Sequence, residues 1–299
     1  MPTPALSIII CTYQREETLR QTISDILDQS FERYELIVVD QSISHDSETD
    51  NFLLSHSETL RLIRVDVPNL PNARNRGIEA ARAGLILFVD DDIRLSPQVV
   101  GRLVEHFENP DVDVIAPLVC DDRGEQAAAD DYSRRYGELI TTPNGRLWEA
   151  DTVIGACMAI RRPVVDDVGK FDLNLGRLHP SASGEDYEFF ARVRAKAYRI
   201  FVDPSIKVIH LGKTPGGCGV RSGDPIESWR SQMRALAYIK HKQRRALNGS
   251  WWWISLSMMG HWASRNTFRV GLSDMYRRLR DIHHAVIYVR NFLKLESNS

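Results

Sequence analysis

Four short apolar runs, set apart by stretches with helical patterning, constrain this chain more than any other feature. Leu6-Ser7-Ile8-Ile9-Ile10-Cys11 is brief and rich in β-branched residues, which reads as a buried strand. Tyr34 to Asp40, Leu60 to Val65 and Leu85 to Val89 repeat the pattern. Between them, Glu16 to Gln29, Glu48 to Ser57 and Pro71 to Ala83 read as helices. The first carries Leu19, Ile23, Ile26 and Leu27 at helical spacing, with Thr12 available as a cap before it. Strands alternating with helices build βαβ units, so the fold class is α/β, with parallel strands in one sheet and helices on its faces. Such sheets place their ligand chemistry at the carboxyl ends of strands. Three of those ends carry unusual polar residues, Thr12-Tyr13, Asp40-Gln41 and Asp90-Asp91-Asp92, and these are expected to meet on one rim.

The second half is less regular. Ser96-Pro97 is expected to open a helix with proline in its first turn. Strands are expected over Val112 to Val119, Val153 to Ile160, Tyr198 to Val202 and Ile206 to His210, with a helix over Gly184 to Ala195. A glycine- and proline-rich loop, Gly212 to Pro225, precedes a tail that reads as helix to its end. The division expected is therefore residues 1–222 and a helical, basic region over 223–299.

The sharpest chemical signal is Phe88-Val89-Asp90-Asp91-Asp92. Three adjacent carboxylates at the end of a buried strand repel one another and raise one another's pKa unless a cation neutralises them. Mg²⁺ or Mn²⁺ suits that task, because each takes one or two carboxylates and completes its shell with water and substrate phosphates. The bland alternative is a solvated acidic turn at the start of the next helix. Metalloprotease, serine hydrolase and simple dinucleotide-binding readings are excluded, since no His-Glu-x-x-His, Gly-x-Ser-x-Gly or Gly-x-Gly-x-x-Gly after the first strand is present. Gly212-Lys213-Thr214 looks like the end of a phosphate-binding loop, but Lys207 stands where its first glycine belongs. A glycoside hydrolase would use paired carboxylates, yet it would leave the N-terminal blocks unexplained.

Six blocks in order resemble the inverting glycosyltransferase family 2. They are Ser7 to Arg15, Leu36 to Ser42, Asn72-Ala73-Arg74-Asn75-Arg76-Gly77, Leu87 to Asp92, Gly155 to Arg162, and Gly184-Glu185-Asp186-Tyr187-Glu188-Phe189. The resemblance covers about residues 5–211 and implies a GT-A fold: a Rossmann-like mixed sheet flanked by helices, here with a helical C-terminal region. It also implies an inverting hexosyltransferase with a bound Mg²⁺ or Mn²⁺ and a nucleotide diphosphate sugar, UDP-linked by preference. Carried over by position, it implies that Thr12 and Tyr13 border the nucleoside and Asp40 accepts hydrogen bonds from the base. Arg74 is expected near the nucleotide or its diphosphate. Asp90 is expected toward the ribose, Asp91 beside the donor, and Asp92 on the metal with His210. Gly155, Ala156 and Glu185 are implied on the acceptor side, with Asp186 as base. Each residue also has an ordinary reading: Thr12 as a helix cap, Asp40 as a turn residue, Arg74 as a surface arginine, His210 as a structural histidine, and Glu185 and Asp186 as first-turn carboxylates. A catalytically degenerate nucleotide-sugar-binding or membrane-surface scaffold protein is the alternative from a different class.

Net charge is near neutral at −2, but residues 226–299 hold 13 basic and 4 acidic side chains, so the remainder is strongly acidic. Such a tail is expected to meet something anionic. Trp251, Ile254, Met258 and Trp262 fall near one helical face, which Trp252, Trp253 and Met259 widen, with Lys240, Lys242, Arg244 and Arg245 alongside. That stripe reads as packing against the body or another subunit, making a homo-oligomer, or as an interfacial membrane helix. Lys213 and Arg221, in the glycine-rich loop with Gly216, Gly217, Gly219 and Gly223, could close on phosphate, or the loop is a plain linker. The acceptor class expected is a saccharide or a lipid-linked molecule, and no motif supports nucleic-acid binding. Four scattered cysteines, no basic leader and no apolar run near the roughly 20 residues of a bilayer span lead to an expected cytoplasmic location. Attachment to the cytoplasmic face of a membrane fits the same features, and Asn248-Gly249-Ser250 would then be an inert sequon.

Overall fold

Alternation along the central strands decides which residues face which helices. In the strand Leu6–Thr12, β1, residues Leu6, Ile8 and Ile10 share one apolar cluster while Ile9 and Cys11 belong to a second on the opposite face. Helix α1, Glu17–Leu27, buries Leu19, Ile23 and Ile26 in the first cluster. Helix α3, Leu70–Ala80, buries Ala73 and Ile78 in the second. Gly77 lets α3 approach closely, because a β-carbon there would fall into the Ile9 side chain.

The computed structural model describes residues 3–122, 139–142, 145–177, 184–212, 225–244 and 272–296. It divides the chain into two compact units, Met1–Asp172 with Asp186–Cys218, and Leu173–Glu185 with Gly219–Ser299. The first unit contains β2 (Tyr34–Asp40), α2 (Ser47–Ser55), β3 (Leu60–Arg64), β4 (Leu85–Asp90) and β5 (Ile93–Arg94). It continues with α4 (Val99–Glu105), β6 (Val114–Cys120), β7 (Leu139–Thr142), β8 (Gly145–Glu149), β9 (Cys157–Arg161) and α5 (Arg162–Val168). In chain order α6 (Leu173–Arg177) and α7 (Glu185–Ala195) follow, then β10 (Ile200–His210). The sheet order is β3-β2-β1-β4-β9-β6-β10-β8-β7, with β5 added beside β10. Strands β1 to β4 are parallel, whereas β9 runs antiparallel to both β4 and β6, so the sheet is mixed α/β with helices on its faces.

The expected strands at 198–202 and 206–210 are one strand. Pro204 cannot donate to the ladder, and the pairing with β6 shifts register between Asp203 and Lys207 instead of ending. Asp203 stitches the irregular stretch, accepting from Ser205 N at 2.8 Å and lying 2.7 Å from His106 Nε2. Helix α4 starts at Val99, two residues beyond Pro97, because the Ser96 and Pro97 carbonyls accept from Gln29 Nε2 and Ser30 N, each at 2.9 Å. Strand β9 starts at Cys157, four residues later than the apolar pattern suggests; just before it the Gly155 carbonyl accepts from Arg74. Cys11, Cys120 and Cys157 are free and buried, and burial pushes the Cys11 thiol up to about 12.

The second unit is helical, with α6, α8 (Pro225–Arg244) and α9 (Leu272–Glu296). Leu175, Met233, Tyr238, Ile239, Ile282 and Val289 form its apolar cluster, and Arg230 Nε lies 3.5 Å from Asp281 Oδ1 across α8 and α9. Among the described residues no helix is long and apolar enough to cross a membrane. Trp251 to Trp262, Arg245, Lys213 and Arg221 lie outside the described residues.

Candidate active site

Parallel register brings the three polar strand ends side by side. Thr12 of β1 pairs with Asp40 of β2, and Cys11 pairs with Asp90 of β4. The order reverses at β1, whose neighbours lead the chain to opposite sides, and crevices form at such points. Tyr13 follows on the rim, half-buried, and Gln14 takes a φ of +50°, an uncommon conformation tied down by a 2.8 Å bond from its N–H to Ser42 Oγ.

The three aspartates separate into different environments. Asp91 turns inward, accepting from Thr12 Oγ1 at 2.7 Å, and its carboxyl is pushed up to about 7 mainly by burial. The Asp90 side chain keeps 31% of its exposure, and burial of its carboxyl group raises its pKa despite the nearby Arg74 and His210. Asp92 meets His210, whose Nε2 is 3.1 Å from Asp92 Oδ1. That contact is set by the backbone: β10 ends on β5, with His210 opposite Ile93, and Leu211 N donates to Asp92 O at 2.9 Å. Ligand atoms of Asp90, Asp92 and His210 all lie within 4.8 Å of one another. Two carboxylates and an imidazole at that spacing suit a divalent ion that keeps further positions for other oxygens. This donor set fits Mg²⁺ or Mn²⁺.

Arg74 is not a surface arginine. It is 2% exposed, with its guanidinium 5.3 Å from the Phe171 ring centre and 6.0 Å from that of Phe88. Its Nη2 lies 3.7 Å from Asp90 Oδ1 and donates to Gly155 O at 3.2 Å. The N–H of that same Gly155 donates to Asp186 Oδ2 at 3.3 Å. A β-carbon on Gly155 would lie 2.9 Å from Arg74 Nη2 and 3.2 Å from Asp186 Oδ2, so a side chain there would displace the ends of both from their present contacts. Ala156 is buried, and its carbonyl accepts from Asp90 N at 2.8 Å. Asp186 sits in the first turn of α7, where Tyr187 N donates to its Oδ1 at 2.7 Å. Glu185, just before it, is buried at 8% exposure.

Asp40 has partners that its neighbours in sequence do not advertise. It accepts from Ser42 N at 2.8 Å, lies 3.1 Å from His45 Nε2, and pairs with Arg64 Nη1 at 3.0 Å. Burial alone would raise its pKa, but hydrogen bonds from His45 and Ser42 outweigh burial and hold it below the usual value. The hydrogen bond to Asp40 likewise raises His45, whose Nδ1 is 3.1 Å from both Glu16 carboxylate oxygens. The sign follows from the two shifts. The stabilisation from Asp40 is lost as pH falls through its lowered value; that from His45 is present below about pH 6.5 and fades as pH rises through its raised value. The melting temperature of the protein should therefore fall between pH 6 and pH 8.5 more steeply than that of His45→Gln, as read by calorimetry; parallel slopes would refute the charged pair.

Residues 7–169, more than half of the chain, match the family model for Glycosyl transferase family 2. A glucosyl-dolichyl phosphate glucuronosyltransferase of Haloferax volcanii is 24% identical over 193 residues, 58% of this chain and 57% of that protein. The structure of Staphylococcus aureus TarS 1-349 in complex with UDP-GlcNAc superposes with a TM-score of 0.59 at 18% identity, covering 78% of this chain and 66% of that one. GalNAc-T7 with UDP, GalNAc and Mn²⁺ gives a TM-score of 0.55 at 13% identity, over 83% and 52% of the two chains. The chain spans about half the length of the curated relatives it matches, or less. At these identities the solved structures share the fold, which is GT-A.

Proposed function

The chain belongs to glycosyl transferase family 2, and from that premise we propose that it moves a sugar from a UDP-linked donor to an acceptor hydroxyl with inversion at the anomeric carbon. The observation that carries the reading is the convergence of Asp90, Asp92 and His210 within 4.8 Å on the rim that also holds Thr12 and Asp40. Asp92 and His210 would hold Mg²⁺ or Mn²⁺, which when bound neutralises charge on the departing diphosphate.

The remaining work falls to side chains. Asp40, kept ionised by His45 and Ser42, accepts from the base, while Thr12 and Tyr13 border the nucleoside. Asp90 faces the ribose, and Arg74 beside it adds positive charge near the diphosphate. Asp91 acts on the donor side through Thr12, which it holds in place. Asp186 is the base: its carboxylate takes the acceptor hydroxyl proton as that oxygen bonds to the anomeric carbon and the bond to the diphosphate breaks. Gly155, Ala156 and Glu185 line the acceptor side. The UDP-GlcNAc complex of TarS and the lipid-linked substrate in the name of the Haloferax relative support a UDP-linked donor and a saccharide or lipid-linked acceptor.

A panel of nucleotide sugars tested by thermal shift, with and without Mn²⁺, checks the donor. One UDP-sugar should raise the melting temperature in Mn²⁺ and release UDP slowly on incubation, because a ligand that binds only the folded state stabilises it. No shift with any nucleotide sugar, with or without Mn²⁺, would overturn the reading.

A further inference from the structure

Arg15 is a cation folded inward from the turn after β1, at 6% exposure. Its Nη2 lies 3.3 Å from Asp92 Oδ2 and its Nε 3.9 Å from Asp91 Oδ1, the latter too long for a hydrogen bond. Both Nε and Nη1 are buried, and neither has a hydrogen-bond partner among the described residues. Buried guanidinium N–H groups left unsatisfied are costly, and native proteins rarely keep them without a reason. The carboxylates close by are already engaged, Asp91 Oδ2 with Thr12 and Asp92 Oδ1 with His210. What would complete Arg15 is an additional anionic oxygen acceptor, and the planar fork of arginine suits phosphate oxygens in particular.

We propose that Arg15 binds the diphosphate of the donor and couples it to the metal. With neither ligand bound, Arg15 neutralises Asp92. A divalent cation arriving alone then meets a fixed positive charge 3.3 Å from one of its intended ligands and is opposed by it. A nucleoside diphosphate reverses the situation, since its phosphate oxygens satisfy the two unpartnered N–H groups and offset both cations. Metal and nucleotide therefore bind as a pair, each weak without the other. The inference rests on the donor reading above, and its test separates the two.

The full chain would be titrated with Mn²⁺ alone, followed by the electron paramagnetic resonance of free Mn²⁺, and again with saturating UDP; UDP affinity would be measured calorimetrically with and without Mn²⁺. In the unaltered protein UDP should tighten Mn²⁺ binding about tenfold or more. Arg15→Met should bind Mn²⁺ alone more tightly than the unaltered protein, and should bind UDP in Mn²⁺ about tenfold more weakly, as loss of a charge-assisted hydrogen bond implies. Arg15→Lys keeps the charge without the fork, so its affinity for Mn²⁺ alone should stay unchanged while UDP affinity falls. Arg15→Met with unaltered Mn²⁺ and UDP affinities overturns the proposal. Should Arg15→Met fail to fold, Arg15→Lys decides, and UDP affinity equal to that of the unaltered protein overturns the proposal. If the unaltered protein binds no UDP at all, the donor reading fails and this inference falls with it; normal binding with indifferent Arg15 variants removes this inference alone.

Discussion

Asp186→Asn should bind the UDP-sugar and Mn²⁺ as the unaltered protein does while transferring sugar about 10²- to 10⁴-fold more slowly, the usual contribution of a positioned base. Asparagine matches aspartate in shape, and its amide oxygen can still accept from Gly155 N, which lies 3.3 Å from Asp186 Oδ2. The site should thus keep its form and lose only its capacity to take a proton. Single-turnover transfer measured with a fixed donor, beside calorimetric donor binding, separates the two quantities. Transfer at the normal rate would show that another group removes the hydroxyl proton. Weakened donor binding with an unchanged rate would make Asp186 a structural residue of α7.

Asp92→Ala should instead abolish the metal-dependent part of donor binding, a loss of about 100-fold or more, since even partners behind metal ligands typically contribute 10- to 100-fold. Asp92 touches His210 at 3.1 Å and Arg15 at 3.3 Å, so it joins the two sides of the cluster. The fold should survive, because Asp91 remains near Arg15 and one member of a mutually repelling group is gone. Thermal shift reads this directly: the Mn²⁺-dependent rise with a UDP-sugar should vanish in Asp92→Ala. A variant that retains the full rise would remove Asp92 from the metal site.

The half of the molecule that the sequence discloses is the half built from regular parts. Strands β1 to β4 stand where their apolar runs stand, and helices α1 to α3 lie within a few residues of their patterns, because period-2 and period-3.6 burial leave direct traces. The convergence of Thr12, Asp40 and Asp90 was equally legible, since parallel pairing forces strand ends together. Strand β5 has two residues and no periodicity to find. The β7–β8 pair, four and five residues long, is too short for its periodicity to stand out. Pro204 made β10 look like two strands, because a proline ordinarily interrupts a ladder and only the flanking Asp203 contacts reveal that this one is absorbed.

Arg15 and His45 escaped for a different reason. Arginine after a strand and histidine in the polar stretch Ser42 to Asp46 are ordinary loop residues by composition. Their importance arises from partners far along the chain, Asp91 and Asp92 for one and Glu16 for the other, which no local pattern encodes. His210 was marked by its place at the end of a strand together with the family resemblance, and its contact with Asp92 follows from the antiparallel step of β5 against β10.

The carbonyl oxygen of Gly155 holds Arg74, and its nitrogen, in the preceding peptide plane, holds Asp186. On the proposed chemistry, the group that faces the incoming alcohol and the group that faces the departing nucleotide thus hang on one residue, across the two peptide planes that meet at its α-carbon. A displacement of the Gly155 backbone is therefore felt at both ends. Changes of acceptor preference among relatives should accumulate in surrounding loops, leaving this short segment as the fixed fulcrum about which specificity drifts.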